Sequence, residues 1–243
     1  MAACGGDLVG SPQQMHLPET LREVSGLVAI DESRLLAIAD EVGVVYELDF
    51  ETGRISERHQ FGEPVVRADF EGLALADGVI YALTSNGTLY SSRGAVIGTG
   101  LGRFCELEGL VKDPANRSLW LLCKEPRKKK QKKKLHLYNW DLERGDFTDR
   151  TLSVAYADLG VKKNLRPSAL DFLPSGEEIM VLAARQQAYV IINLRGELMD
   201  GGLLPNRRLH PQAEGLAIVG ETVYVADEGV DGPATVTRYE NGF

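Results

Sequence analysis

Three glutamates, each followed by Gly-Leu, stand far apart in this 243-residue chain: Glu71-Gly72-Leu73, Glu108-Gly109-Leu110 and Glu214-Gly215-Leu216. Serine takes the place of the acid in two further copies, Ser25-Gly26-Leu27 and Ser168-Ala169-Leu170. If the fold gathers the acids, two carboxylates about 5 Å apart at an effective dielectric of about 20 repel by roughly 3 kcal/mol, so they need a counter-charge. A hard cation such as calcium would supply it through carboxylate and carbonyl oxygens, with Asp227 as a fourth ligand beside Glu71, Glu108 and Glu214. The competing source is the chain itself: Arg22, Lys124, Arg166 and Arg185, or backbone N–H groups, would then tie the acids down as structure.

The five copies begin at residues 25, 71, 108, 168 and 214, so the steps are 46, 37, 60 and 46 residues, the spacing of radial or stacked repeats. Within the steps, strand-sized apolar runs alternate with turn residues such as Glu51-Thr52-Gly53, Asp77-Gly78 and Pro174-Ser175-Gly176. Four such strands per complete unit predict an all-β chain folded as a single β-propeller of five four-stranded blades. A pair of β-sandwich domains is the competing architecture. The 60-residue step leaves room for a lysine-rich hairpin loop and a short helix over residues 156–166.

Lettering the strands of a blade a to d outward from the axis, the start of a and the end of b lie on one face. The repeated acids should therefore meet the residues that close strand b: Asp40 and Glu41, Ser85, Lys124 and Glu125, Arg185, Asp227 and Glu228. Of these, Asp40, Lys124, Arg185 and Glu228 are the candidate ligand-binding residues, with Lys124 and Arg185 able to clamp an anion. The glycine beside each acid signals close backbone approach at a crowded centre.

The fifth repeat ends one strand short, at residues 235–239. Its edge would expose unpaired N–H and C=O groups. The free segment able to cover it is Gln13-Gln14-Met15-His16-Leu17, halted by Pro18, which should pair antiparallel as the outermost strand of the last blade. Residues 13–243 are then one propeller domain and residues 1–12 a flexible lead. Within the lead, Ala2-Ala3-Cys4-Gly5-Gly6 reads as the remnant of a bacterial lipoprotein signal, with Cys4 as the lipidated residue. That reading places the protein in the cell envelope, periplasmic or lipid-anchored; without it the chain reads as cytoplasmic.

The chain carries 27 Lys+Arg against 35 Asp+Glu, a net charge of −8, which disfavours nucleic acid as a general partner. One segment runs the other way: Arg127, Lys128, Lys129, Lys130, Lys132, Lys133 and Lys134 put seven positive charges in eight residues and leave −15 on the rest. The plain reading is a solvated hairpin loop between strands b and c. The functional one is an anion-binding loop for phospholipid headgroups or phosphorylated ligands, each charge contributing about 1 kcal/mol at an anionic bilayer. No aromatic interrupts the run, so base stacking is poorly supported. The longest apolar stretches, residues 119–123 and 179–184, are too short to span a bilayer.

Signatures of catalysis are scarce, with no Gly-x-Ser-x-Gly, His-Glu-x-x-His, Gly-x-x-x-x-Gly-Lys or Cys-x-x-Cys pattern. His59 falls on an outer strand, and His210, just before the fifth repeat, is the histidine placed to reach the axial face. Cys105 and Cys123 fall on neighbouring strands, but counting out from the turn pairs 123 with 107, which does not favour a disulfide.

Pro211-Gln212-Ala213-Glu214-Gly215-Leu216-Ala217 resembles the bacterial SdiA-regulated propeller family. So do Tyr46-Glu47-Leu48-Asp49 with Gly53, Arg166-Pro167-Ser168-Ala169-Leu170, and Val223-Tyr224-Val225-Ala226-Asp227-Glu228. The resemblance covers residues 18–243, and esterase-like phytases are related propellers. It implies an exported or membrane-anchored propeller and carries no set of catalytic residues; the long lysine run departs from the family pattern.

Two functions follow as expectations. The first is an envelope-associated monomer that binds a small-molecule or protein ligand at its axial face, with calcium as a cofactor. The second is a metal-assisted phosphoester or carboxylic ester hydrolase, which needs a cation with open positions beside the Lys124 and Arg185 clamp.

Overall fold

Five antiparallel sheets succeed one another along the chain in a computed structural model that describes residues 12–161, 165–240 and 242. The first strand, β1 (Gln13–His16), is followed by blade one: β2 (Val24–Ala29), β3 (Arg34–Ala39), β4 (Val44–Asp49) and β5 (Arg54–Gln60). Blade two holds β6 (Phe70–Ala76), β7 (Val79–Thr84), β8 (Thr88–Ser91) and β9 (Val96–Gly98). Blade three has β10 (Cys105–Lys112), β11 (Ser118–Pro126) and β12 (Lys134–Asp141), with its outer strand broken into β13 (Asp146–Phe147) and β14 (Leu152–Ala155). Blade four is β15 (Ala169–Phe172), β16 (Glu178–Ala183), β17 (Ala188–Asn193) and β18 (Leu198–Leu203). Blade five is β19 (Ala213–Val219), β20 (Thr222–Asp227), β21 (Thr235–Tyr239) and, from the other end of the chain, β1. The molecule is a five-bladed β-propeller, and the two-sandwich alternative is excluded.

The strands follow from their two-residue period. On β3, Leu35 and Ala37 pack toward blade five while Leu36 and Ile38 pack toward blade two. Because successive side chains leave opposite faces of a sheet, one apolar strand can serve two cores. Among the described residues the buried ones accordingly form five clusters, one between each pair of neighbouring blades around the ring. Turn chemistry sets the hairpins: Asp77 and Gly78 both take positive φ (50° and 72°), as a two-residue turn matched to strand twist requires.

The ring closes through β1, paired antiparallel with β21 from Gln13 opposite Arg238 to His16 opposite Thr235. The Leu17 N–H extends the ladder to the Ala234 carbonyl at 2.8 Å. This is the pairing expected from the missing fifth-repeat strand.

Blade two has its fourth strand in β9, as the four-strand unit requires, although its three residues are too few to show a period. Two expectations are corrected. Among the described residues of 156–166 there is no helix: residues 156–160 form turns closed by the Val161 N–H on the Tyr156 carbonyl (2.9 Å). Cys105 and Cys123 form a disulfide. Leu107 does lie opposite Cys123, as counting requires, but register shifts on both sides of Leu107 bring the Cys105 Cα to 5.8 Å from that of Cys123.

Candidate functional site at the axial mouth

The repeated acids owe their placement to a recurring β-bulge. Phe70 pairs with Thr84 and Gly72 with Leu83, so Glu71 has no partner across the ladder. The same slip leaves Ser25, Glu108 and Glu214 out of register in blades one, three and five. A bulge bends its strand and re-aims a side chain. Here all four line a gap of about 10 Å³ on the axis. The adjoining glycines make the approach sterically feasible: a Cβ on Gly72 would lie 2.7 Å from the Leu110 backbone nitrogen. In blade four, Ser168 turns aside, donating to the Ala213 carbonyl (2.7 Å) and accepting from the Ala184 N–H (3.1 Å).

The counter-charge at the centre is Lys124, at the end of β11, with Nζ 2.5 Å from Glu108 Oε1. Burial raises the pKa of Glu71, and the Glu108 charge raises it further. Glu108, only 2% exposed, is also raised by burial, with Lys124 opposing, and its Oε2 has no hydrogen-bond partner among the described residues. Glu214 is pushed up to about 7, again by burial against the pull of Lys124. Burial works against the Lys124 ammonium, but Glu108, Glu71 and Glu214 outweigh it and hold its pKa above the ordinary value. Among the described residues no three His, Cys, Asp or Glu side chains are grouped to hold a metal ion.

Above this centre a cavity of about 510 Å³ opens between blades three, four and five. Lys124, Arg166 and Arg185 give its wall positive charge, Glu108 and Glu214 form the acidic floor, and Gln187 and Gln212 add amide groups. Arg166 is held by Glu125 at 3.3 Å, whereas Arg185 is exposed and makes no ion pair among the described residues. Gln187 is fixed by its own donation to the His210 carbonyl (2.7 Å), and Gln212 by donation to Glu228.

The remaining predicted site residues divide by location. Asp40 and Glu228 do not line this cavity. Burial raises Asp40 to about 6, with Glu23, Glu41 and Asp69 adding to it, and burial raises Glu228 to about 7, with Glu214 and Asp40 adding to it. The mouth is thus acidic toward blades one and five and basic toward blades three and four. Asp227 is drawn away by His210, whose Nδ1 lies 2.7 Å from Asp227 Oδ2 while Nε2 lies 2.6 Å from the Tyr239 hydroxyl. All three are buried, so His210 ties β20 to β21, the strand that pairs with β1, beneath the surface. The lysine run joins β11 to β12, as a b-to-c loop should, and Lys132 pairs with the same Glu125 that holds Arg166. Cys4 lies outside the described residues.

Sequence reasoning missed Gln187, Gln212 and the His210–Asp227–Tyr239 chain. Gln212 had a signal, since it sits two residues before a repeated acid. The histidine chain had none, because its members meet only through the closed blade.

No protein-family model and no curated protein matches this chain. Solved structures do. A luciferin-regenerating enzyme superposes with a TM-score of 0.57 at 12% identity, covering 95% of each chain. Streptogramin B lyase gives 0.53 at 12% identity over 93% of this chain and 97% of its own. A structure of a nidogen/laminin complex gives 0.51 at 16% identity over 87% and 74%. At these identities the likeness is one of fold, and it supports the propeller assignment.

Proposed function

We propose that the protein is a ligand-binding propeller whose axial mouth takes up a small molecule carrying carboxylate or phosphate groups. The observation that carries this reading is the 510 Å³ cavity walled by Lys124, Arg166 and Arg185, with Arg185 exposed and unpaired among the described residues. A cavity of that size suits a small ligand, and a planar guanidinium suits a bidentate hold on an oxyanion. Glu108 and Glu214 on the floor favour a ligand that also presents a hydrogen-bond donor. The reading agrees with the resemblance to SdiA-regulated propellers. The Cys105–Cys123 disulfide supports an envelope location, since such bonds persist outside the reducing cytosol.

The hydrolase alternative requires a metal beside the clamp, where Lys124 already supplies the central counter-charge. Thermal melting tests both readings. Citrate and glycerol 3-phosphate should raise the Tm of the full chain, and Arg185→Gln should abolish the rise while leaving the unliganded Tm unchanged. Calcium chloride alone is the comparison arm: a rise lost in Glu214→Gln, with none from the anions, would replace the anion site by a metal site.

A further inference from the structure

We infer that the protein docks on an anionic lipid surface through the lysine loop and an exposed phenylalanine, Phe104, which the fold places among its cations. Phe104 is 46% exposed, although it directly precedes the buried Cys105. Two hydrogen bonds tie its segment to the loop: the Arg127 N–H to the Phe104 carbonyl (2.9 Å) and Arg127 Nε to the Gly102 carbonyl (2.7 Å). The ring lies between cations, with the Arg103 guanidinium 5.8 Å and Lys128 Nζ 5.9 Å from its centre. The run that lacks an aromatic in sequence therefore acquires one in space.

An exposed aromatic ringed by flexible cations is the composition of an interfacial anchor: the ring enters the headgroup region while the ammonium and guanidinium groups stay with the phosphates. Charge decides the shape of the partner. Seven loop charges stand against −15 on the rest of the chain, so a polyanion that wrapped the protein would meet repulsion. A plane touched by one loop would not, because screening limits the field to about 8 Å at physiological salt. The base of the patch is covalently fixed, since the disulfide joins the strand that leaves Phe104 to the strand that enters the loop. Glu125 links that patch to the mouth by pairing with Lys132 and Arg166 together. A docked molecule would hold its axial cavity beside the bilayer.

Cosedimentation of the full chain with phosphatidylcholine vesicles, with and without 30 mol% phosphatidylglycerol, tests the inference. Binding should need phosphatidylglycerol and should weaken as salt rises. Phe104→Ala should reduce the partition coefficient about tenfold, from the lost apolar burial of the ring. Replacing Lys128, Lys129 and Lys130 by serine should reduce it about a hundredfold, at roughly fivefold per charge. A Phe104→Trp probe should shift its emission to the blue on the anionic vesicles, because Trp120 and Trp140 are already buried. Arg185→Gln should leave docking intact, which separates this inference from the ligand reading of the mouth. Equal binding to neutral vesicles, wild-type partition by Phe104→Ala with no blue shift in Phe104→Trp, or binding to a single-stranded oligonucleotide in place of vesicles would overturn it.

Discussion

Lys124 holds the axial site together, because three carboxylates face it across a gap too small to admit many waters. Replacing it by methionine removes the counter-charge and leaves Glu108 buried without a partner. The cost should be about 3 kcal/mol, toward the low end for breaking a buried pair because the Lys124 side chain keeps some access to solvent; urea denaturation measures it. The acids also set a pH dependence. Glu71, Glu108 and Glu214 all have folded pKa values above the ordinary carboxylate range, with Glu214 at about 7. Their contribution is full below an unfolded value of about 4.3 and is lost as pH rises through the folded values. Tm should therefore fall between pH 5 and pH 8, and Glu214→Gln should flatten the fall. A Tm that rises over this window would contradict the assignment; Asp31, held down at about 2 by Arg34, acts only below it. The positions of these acids were legible in the sequence as repeats. Their orientation was not, since it depends on a bulge that periodicity does not reveal. Nor was the diversion of Asp227, whose partner His210 is 17 residues away.

Among elements, β1 carries the most consequence for its length. Its ladder with β21 joins the chain ends, and the His210–Tyr239 contact braces β21 from within. Deleting residues 1–17 should bare that edge, with each lost ladder bond worth about 0.5 to 1.5 kcal/mol. A marked drop in Tm, or aggregation through the edge, is the expected result of differential scanning calorimetry. A truncated chain melting with the wild type would mean that closure does not depend on β1. The missing strand could be read from the sequence because an incomplete repeat and a spare segment of matching length stood at opposite ends. The Cys105–Cys123 bond could not, because simple counting fails where bulges flank Leu107. Reducing it opens a loop of 18 residues and should lower stability by about 3 kcal/mol in denaturant titrations run with and without reductant. An unchanged midpoint would show the bond to be absent or idle.

For the whole molecule, the ring sorts charge that is mixed along the chain. Acids from blades one and five gather on one side of the mouth and cations from blades three and four on the other. The repeat spacing revealed the ring and its axial face. The Lys124 and Arg185 clamp was legible too, since both residues close strand b in neighbouring blades; the cavity between them was not, because Arg166, Gln187 and Gln212 complete it from outside the strands. The central claim is that this basic side receives an anionic ligand, and calorimetric titration of citrate into wild-type and Arg185→Gln protein, side by side, tests it most directly. Saturable binding by the wild type that is lost in Arg185→Gln is the predicted result. No heat from either protein, or equal binding by both, would contradict it.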